Sequence, residues 1–423
     1  MTGGHPARGQ EIAAPPARFP LRGGVISHAP HGRLASLHTL TLASGMSSHP
    51  IMQPASPTRP RVAIVLFNLG GPDSPEAVRP FLENLFMDPA ILRVPGFVRK
   101  PLGKFIARRR TAAASENYAI LGGKSPLLPL TEEQAESLQA ALAGQAPDTE
   151  FRCFIAMRYW HPFASAAAQA VKEWGADEIV LLPLYPQFST TTTGSSLTDW
   201  NEACERTGLS LPTRTLCCWH SDDAFATATA ALLKRSYDAA LPQVKDGAKL
   251  RILFSAHGLP ESIVKQGDPY QWQVERSVAA VVEKLAIPGL DHEICYQSRV
   301  TPQKWIGPST EEALEKAAAD KVAVLVHPIA FVSEHSETLV ELDVEYKELA
   351  HKNGVPGYFR APAQNSDPAF IAALAGLVER LRASGDRTLC SFAGGRQCPK
   401  VHSGCPHTGV KPPSSPRTPK VAA

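Results

Sequence analysis

The stretch Asp320-Lys-Val-Ala-Val-Leu-Val-His-Pro-Ile-Ala-Phe-Val-Ser-Glu-His-Ser-Glu-Thr-Leu-Val-Glu-Leu-Asp-Val-Glu-Tyr-Lys-Glu348 runs from a buried strand straight into a row of carboxylates. Val322 to Val326 is a β-branched, apolar run of the kind that a fully covered parallel strand needs. Past Pro328 the pattern turns helical, with Glu337, Glu341 and Glu345 at four-residue spacing. Side chains four apart share a helix face, so these acids stand above one another and repel. Lys347 is the only lysine or arginine after Pro328 in this stretch. A row of like charges is ordinarily a solvated face. Its position argues otherwise, because open α/β sheets bind ligands beyond the carboxyl ends of their strands. An acid row leaving such an end suggests a place that handles cations or protons.

A chain of 423 residues is comfortable for two domains with sizeable cores. A net charge of +3 gives no global attraction to nucleic acid, and no apolar run is long enough to span a membrane. Residues 1–61 differ from the rest. They hold one acid, Glu11, against arginines at 8, 18, 22, 33, 59 and 61. They read as a disordered leader or an over-extended start, with Met46 and Met52 as later starts; organelle targeting follows only if the leader is genuine. A soluble, cytoplasmic protein is the expectation.

Between the ends, strands alternate with helices. Strands are expected at Val62–Leu69, Phe151–Met157, Glu178–Leu184, Leu216–Trp219, Leu250–Ala256, Ile294–Gln297 and Lys321–Val326. Helical periodicity falls at 131–143, 163–174, 224–240, 270–285, 310–319 and 367–383. Ser74 and Pro75 supply an N-cap and first-turn proline. This order means α/β architecture with parallel sheets flanked by helices. A weak repeat pairs the segment from Asp177 with that from Asp320, and Ala63–Pro72 with Ile252–Pro260. Two similar lobes, 62–214 and 215–385, are therefore expected, with an active-site cleft between them and a Cys-containing, loop-like tail over 386–423. Gly70-Gly71-Pro72 lacks nucleotide-binding spacing.

His257, in Ser255-Ala-His-Gly-Leu-Pro260, sits where a second buried strand stops. An imidazole with a pKa near 6.5 accepts protons at cellular pH, and imidazole with carboxylate suits Fe²⁺. Residues 81–110 join an apolar surface to Arg108-Arg109-Arg110, a greasy lip whose arginines meet carboxylates or lipid head groups. Trp305 and Phe331 are candidates to stack on a flat aromatic ligand.

The chain resembles the ferrochelatases, which insert ferrous iron into a porphyrin to make haem. Residues 62–385 carry the resemblance, through ordered motifs that include Leu66-Phe-Asn-Leu-Gly-Gly-Pro72, Gly122-Gly-Lys-Ser-Pro126 and Met157-Arg-Tyr-Trp-His-Pro162. Tyr185-Pro-Gln-Phe-Ser189, Thr193-Gly-Ser-Ser-Leu197, Gly267-Asp-Pro-Tyr270, Tyr296-Gln-Ser298 and Trp305-Ile-Gly-Pro308 follow. The resemblance implies two Rossmann-like, chelatase-type lobes. It implies catalytic roles for His257, Glu337, His335 and Glu341, with Glu334 beside them and His257 and Glu337 as the metal-site pair. It implies that Arg110, Tyr118, Ser125, Arg158, Tyr159, Trp305, Phe331 and Leu69 bind the porphyrin. A base on the ring receives pyrrole protons and a carboxylate relay carries them away; His257 and Glu337 are expected to face one another across the inner ring. Fe²⁺ and protoporphyrin IX are the implied substrates, with transient peripheral contact at the inner membrane, no nucleic-acid partner and no required cofactor.

Some ferrochelatases bind a [2Fe-2S] cluster through one internal cysteine and a C-terminal C-x₂-C-x₄-C array. Here the internal position is Thr190 and the second array position is Val401. Two of four ligands are missing, so a cluster is not expected, although Cys390, Cys398 and Cys405 form another spacing. Leu69, apolar where ferrochelatases acting on coproporphyrin typically carry a tyrosine motif, points to protoporphyrin. A cobalt chelatase for sirohydrochlorin would demand more cleft cations, and a passive haem carrier would not need the acid row.

Overall fold

The computed structural model describes residues 59–245, 247–299, 303–385 and 388–407. The expected leader lies almost wholly outside these residues, as does the tail beyond 407.

Val62 to Asn68 are all buried, which is what a strand covered on both faces requires. This strand, β1 (Arg61–Asn68), pairs in parallel with β2 (Glu150–Met157) on one side and β3 (Glu178–Pro183) on the other. β4 (Thr213–Leu216) extends the sheet beyond β3. The second sheet is centred on β5 (Leu250–His257), between β6 (His292–Gln297) and β7 (Ala323–Pro328), with β8 (Tyr358–Arg360) outside β7. Four strands of each sheet therefore run in the orders β2-β1-β3-β4 and β6-β5-β7-β8, the same topology twice, and a fifth short strand follows β4 in the first sheet. The repeat seen in the sequence is this duplication.

Helices cover both sheets. α3 (Leu127–Gln145) and α12 (Pro368–Arg382) share one core with the first sheet; α4 (Ala164–Trp174) and α5 (Thr193–Thr207) pack on its other face. α6 (Asp223–Ala240) and α8 (Tyr270–Leu285) cover one face of the second sheet, and α9 (Thr310–Ala319) and α11 (Tyr346–Lys352) the other. α1 (Val78–Met87) and α2 (Gly96–Ile120) form an insertion after β1, its entry capped by the Ser74 hydroxyl, which accepts from Ala77 N at 3.3 Å.

Three expectations change. The fourth strand lies at Thr213–Leu216, not Leu216–Trp219: Cys217 to Trp219 are buried, but as a loop, with Trp219 Nε1 donating to Pro183 O at 2.8 Å. Apolarity there reported burial, not strand. β4 (Thr213–Leu216) belongs to the first sheet and β5 opens the second, and α12, which follows the second sheet in the chain, packs into the first sheet's core. The tail also contributes β9 (Leu389–Cys390), which pairs with β4.

Gly258 follows β5 where the chain turns into the site. A Cβ there would lie 2.9 Å from Gln297 O and 3.2 Å from a Trp305 ring carbon. The first contact is backbone and cannot step aside. Gly258→Ala should destabilise the protein by about 1–3 kcal/mol, read as a lowered chemical-denaturation midpoint; an unchanged midpoint contradicts this packing.

Candidate active site

β5 and β7 are neighbours, with Ser255 opposite Pro328, so both strands end at one level. The β5 end presents His257. The chain leaving β7 is still held to β5, Ile329 N donating to Ser255 O at 3.0 Å, and then turns back across the strand ends. Gln134 of α3 locks this turn: its Nε2 donates to Val332 O at 3.0 Å and to Asn365 O at 2.9 Å, and its Oε1 accepts from Ser333 at 3.0 Å. The result brings Phe331, His335 and Glu337 over His257.

His257 Nδ1 donates to Glu337 Oε2 at 2.9 Å, and His335 Nε2 lies 3.7 Å from the same oxygen. Phe331 packs edge-on to His257, ring centres 6.4 Å apart, and stacks obliquely on His335 at 4.4 Å. The 2.9 Å bond sets the two side chains expected to face one another across the inner ring directly against each other.

The acid row is not one regular helix. α10 (Ser336–Leu339) is followed by a π-turn over Glu341–Glu345, in which Glu345 N donates to Val340 O at 3.1 Å, and then by α11. The wider turn breaks the four-residue stacking. Each acid meets different partners. Glu341 accepts from Ser298 N at 2.8 Å, Gln297 Nε2 at 3.1 Å and Tyr346 OH at 3.0 Å. Gln297 also donates to Glu337 O at 2.8 Å, so one amide holds both acids. Glu345 reaches the insertion, accepting from Asn117 Nδ2 at 3.3 Å. Glu334 turns inward to Arg360 Nη1 at 2.8 Å, and the same guanidinium grips Asp343 of the π-turn.

These contacts set the charges. Burial alone would lower the His257 pKa, but the charge and hydrogen bond of Glu337, with Glu341 adding, hold it above the usual 6.5. Burial would raise Glu337; His257 and His335 outweigh it and hold the carboxyl well below the usual range. Glu341 is raised, by burial first and then by the Glu337 charge. Glu337 is thus a fixed anion and Glu341 the acid readier to carry a proton. His327, inside β7, is pushed down to about 3 by burial and stays neutral.

The other predicted residues fall into two groups. Tyr118 of α2 meets the site, its hydroxyl 3.5 Å from Ser336 Oγ; burial, with the Glu337 charge adding, pushes it up to about 12. Ser125 packs under Gly71, and Leu69 packs against the insertion core. Arg110 is half-buried on α2, and Trp305 lies against Gly258. Arg158 and Tyr159 are committed elsewhere: Asp88 Oδ2 accepts from Arg158 Nη2 at 2.9 Å and Tyr159 OH at 2.7 Å, and Tyr159 is fully buried. Sequence reasoning missed Asp88, Gln297, Ser298, Tyr346 and Arg360. Gln297 and Ser298 stood in a recognised motif; Asp88 and Arg360 carried no local signal.

The ferrochelatase family model matches residues 61–381. The ferrochelatase of Phenylobacterium zucineum is 51% identical over 345 residues, covering 82% of this chain and 97% of that protein. Those of Hyphomonas neptunium and Caulobacter vibrioides are each 49% identical, over 83% and 82% of this chain and 96% and 97% of their own lengths.

Replacing Glu337 removes the anion that lifts His257 and leaves burial unopposed. In Glu337→Gln the His257 ring, followed by NMR, should titrate below 6.5, against above 6.5 in the parent chain. The pair's contribution to stability has two limits. The His257 part is lost as pH rises through its raised value, the Glu337 part as pH falls below the usual carboxylate range. An unmoved His257 titration contradicts the pairing. With a family model matched over residues 61–381 and a relative 51% identical over 82% of its length, the chain belongs to the ferrochelatase family.

Proposed function

We propose that this lyase, which inserts Fe²⁺ into porphyrin in the last step of haem biosynthesis, takes protoporphyrin IX and manages metal and protons on one ring face. The His257–Glu337 bond at 2.9 Å is the observation that supports this most. Imidazole and carboxylate together are a donor set for Fe²⁺. Fe²⁺ enters as substrate, and the insertion needs no resident cofactor.

Two pyrrole protons must leave as iron enters. In this reading the pair receives them, and Glu341, with its raised pKa, passes them along the π-turn towards Glu345 and solvent. Which of His257 and Glu337 takes each proton is a property of the coupled pair. Phe331 and Trp305 supply walls on the His257 side, while Leu69 and Tyr118 supply the first lobe's side. Arg110 provides a cation for a propionate. Arg158 and Tyr159, bonded to Asp88, support the wall instead of binding freely. The apolar Leu69 favours protoporphyrin over the more carboxylated coproporphyrin.

Under anaerobic conditions, Fe²⁺ with protoporphyrin IX should convert the free-base absorption bands to those of haem. His257→Ala and Glu337→Gln should each lower turnover by at least about 100-fold, the scale of a lost acid–base group, while porphyrin binding persists. Turnover on coproporphyrin III alone overturns the substrate; near-normal rates in both variants overturn the mechanism.

No helix among the described residues is long and apolar enough to cross a membrane. The insertion nonetheless exposes Phe97 at 81% and Phe105 at 57%, interleaved with Lys100, Lys104 and Arg108. Such a surface suits peripheral contact of a cytoplasmic enzyme with an anionic inner membrane. Phe97→Asp with Phe105→Asp should abolish co-sedimentation with anionic vesicles; undiminished binding contradicts the contact.

A further inference from the structure

β5 ends at His257, and the backbone there loses its sheet donor. Alternate carbonyls of a central strand face opposite neighbours. Ser255 O faces β7 and accepts from Ile329 N at 3.0 Å, while Gly258 N, on the other edge, donates to Gln297 O of β6 at 2.8 Å. His257 O, two residues past Ser255, faces β7 again. Its ladder donor there would be Phe331 N, two residues past Ile329. The chain has turned back by then, and Phe331 N donates to Pro328 O at 3.3 Å instead. The turn that carries Glu337 over His257 thus removes the bond that would hold the histidine's own backbone.

A side chain from the helical layer fills the place. Tyr270, the first residue of α8, is buried, and its hydroxyl donates to His257 O at 3.1 Å. Asp268 fixes the phenol at its root, its Oδ1 accepting from Tyr270 N at 3.0 Å. Asp268 is buried as well, and its Oδ2 accepts from Thr190 N at 2.7 Å, Thr190 Oγ1 at 2.6 Å and Ser189 Oγ at 3.0 Å. Those donors sit on the loop that leaves β3 of the first sheet. The same loop runs along α8: Phe188 N donates to Gln273 Oε1 at 2.7 Å, and Gln187 Nε2 donates to Ser277 Oγ at 2.8 Å. Residues 187–190 therefore anchor α8, and Arg93 of the insertion adds a bond to Thr190 Oγ1 at 3.0 Å. The hydroxyl on His257 O is held by the first sheet's side of the cleft.

We propose that Tyr270 is a positioning residue for metal insertion, its hydroxyl fixing the depth at which His257 meets the macrocycle. The inference rests on His257 acting on the ring, as proposed above. Tyrosine is the residue type this place requires. Phenylalanine fills the same space without a donor, and a serine or threonine hydroxyl on α8 would not reach the strand end. Burial first, and then the neighbouring Tyr296, Glu337 and Asp268, hold the phenol protonated and so a donor throughout the working pH range. Without that donor the end of β5 is free to shift, and the imidazole bonded to Glu337 shifts with it. Catalysis is steep in the placement of the reacting groups. Porphyrin affinity comes instead from the apolar walls and Arg110, so the loss falls on kcat and spares KM.

The test is the full chain assayed anaerobically with Fe²⁺ and whichever free-base porphyrin the parent chain metallates. Tyr270→Phe should lower kcat by about 10-fold or more, while KM for the porphyrin stays within about twofold. In a His257→Ala background, adding Tyr270→Phe should lower the residual rate by less than about twofold, because the hydroxyl acts through His257. A merely structural role would multiply the two losses. A parent-like kcat in Tyr270→Phe, a loss confined to KM, or the same loss with and without His257 overturns the assignment. Near-normal turnover in His257→Ala overturns the proposed mechanism and this inference with it; loss there beside a parent-like Tyr270→Phe overturns this inference alone. A crystal structure of the parent chain with metal-free porphyrin tests the contact without substitution. Tyr270 OH should remain within hydrogen-bond reach of His257 O, and a phenol turned away overturns the assignment.

Discussion

The hydrogen bond between His257 Nδ1 and Glu337 Oε2 joins the end of one central strand to the segment that leaves its neighbour. It forms only because β5 and β7 end at the same level and because Gln134 folds the following turn back over them. Two ionisable groups, each partly desolvated, then set one another's charge. The imidazole is lifted and the carboxylate fixed as an anion. Removing either partner leaves the other half-buried without its counter-charge.

The π-turn extends that logic. In a regular helix Glu337, Glu341 and Glu345 would stack and repel. The wider turn hands Glu341 to Ser298, Gln297 and Tyr346, and Glu345 to Asn117 of the insertion. Asp343 is drawn aside by Arg360. Glu337 and Glu341, four apart in sequence, thereby acquire different protonation behaviour, one a fixed anion and the other a raised carboxyl. A relay needs such a grade more than it needs a uniform row.

Much of this was legible in sequence because buried parallel strands are written as unbroken apolar runs. Val62–Leu69, Leu250–Ala256 and Lys321–Val326 located the central strands, and the repeat anticipated the duplicated strand order. His257 was singled out because it stands at a strand end, and Glu337 because it opens the acid row beyond a second strand and matches a family motif. The failures have physical causes. Cys217 to Trp219 are apolar because a loop is buried, which strand patterning cannot distinguish. β8 and β9 are too short to carry a period, and the π-turn depends on tertiary partners such as Arg360. Arg158 and Tyr159 matched a motif, but Asp88, far away in sequence, determines what they bond.

The central claim is that the bonded pair, on one face of the macrocycle, exchanges protons with its inner nitrogens. The direct measurement is a crystal structure of the chain with metal-free porphyrin bound. The account predicts the inner N–H groups within hydrogen-bond reach of His257 Nε2 or the Glu337 carboxylate, directly or through one water, with Leu69 on the opposite face. A ring seated with its centre away from both residues, or inserted between them with their bond broken, would contradict it.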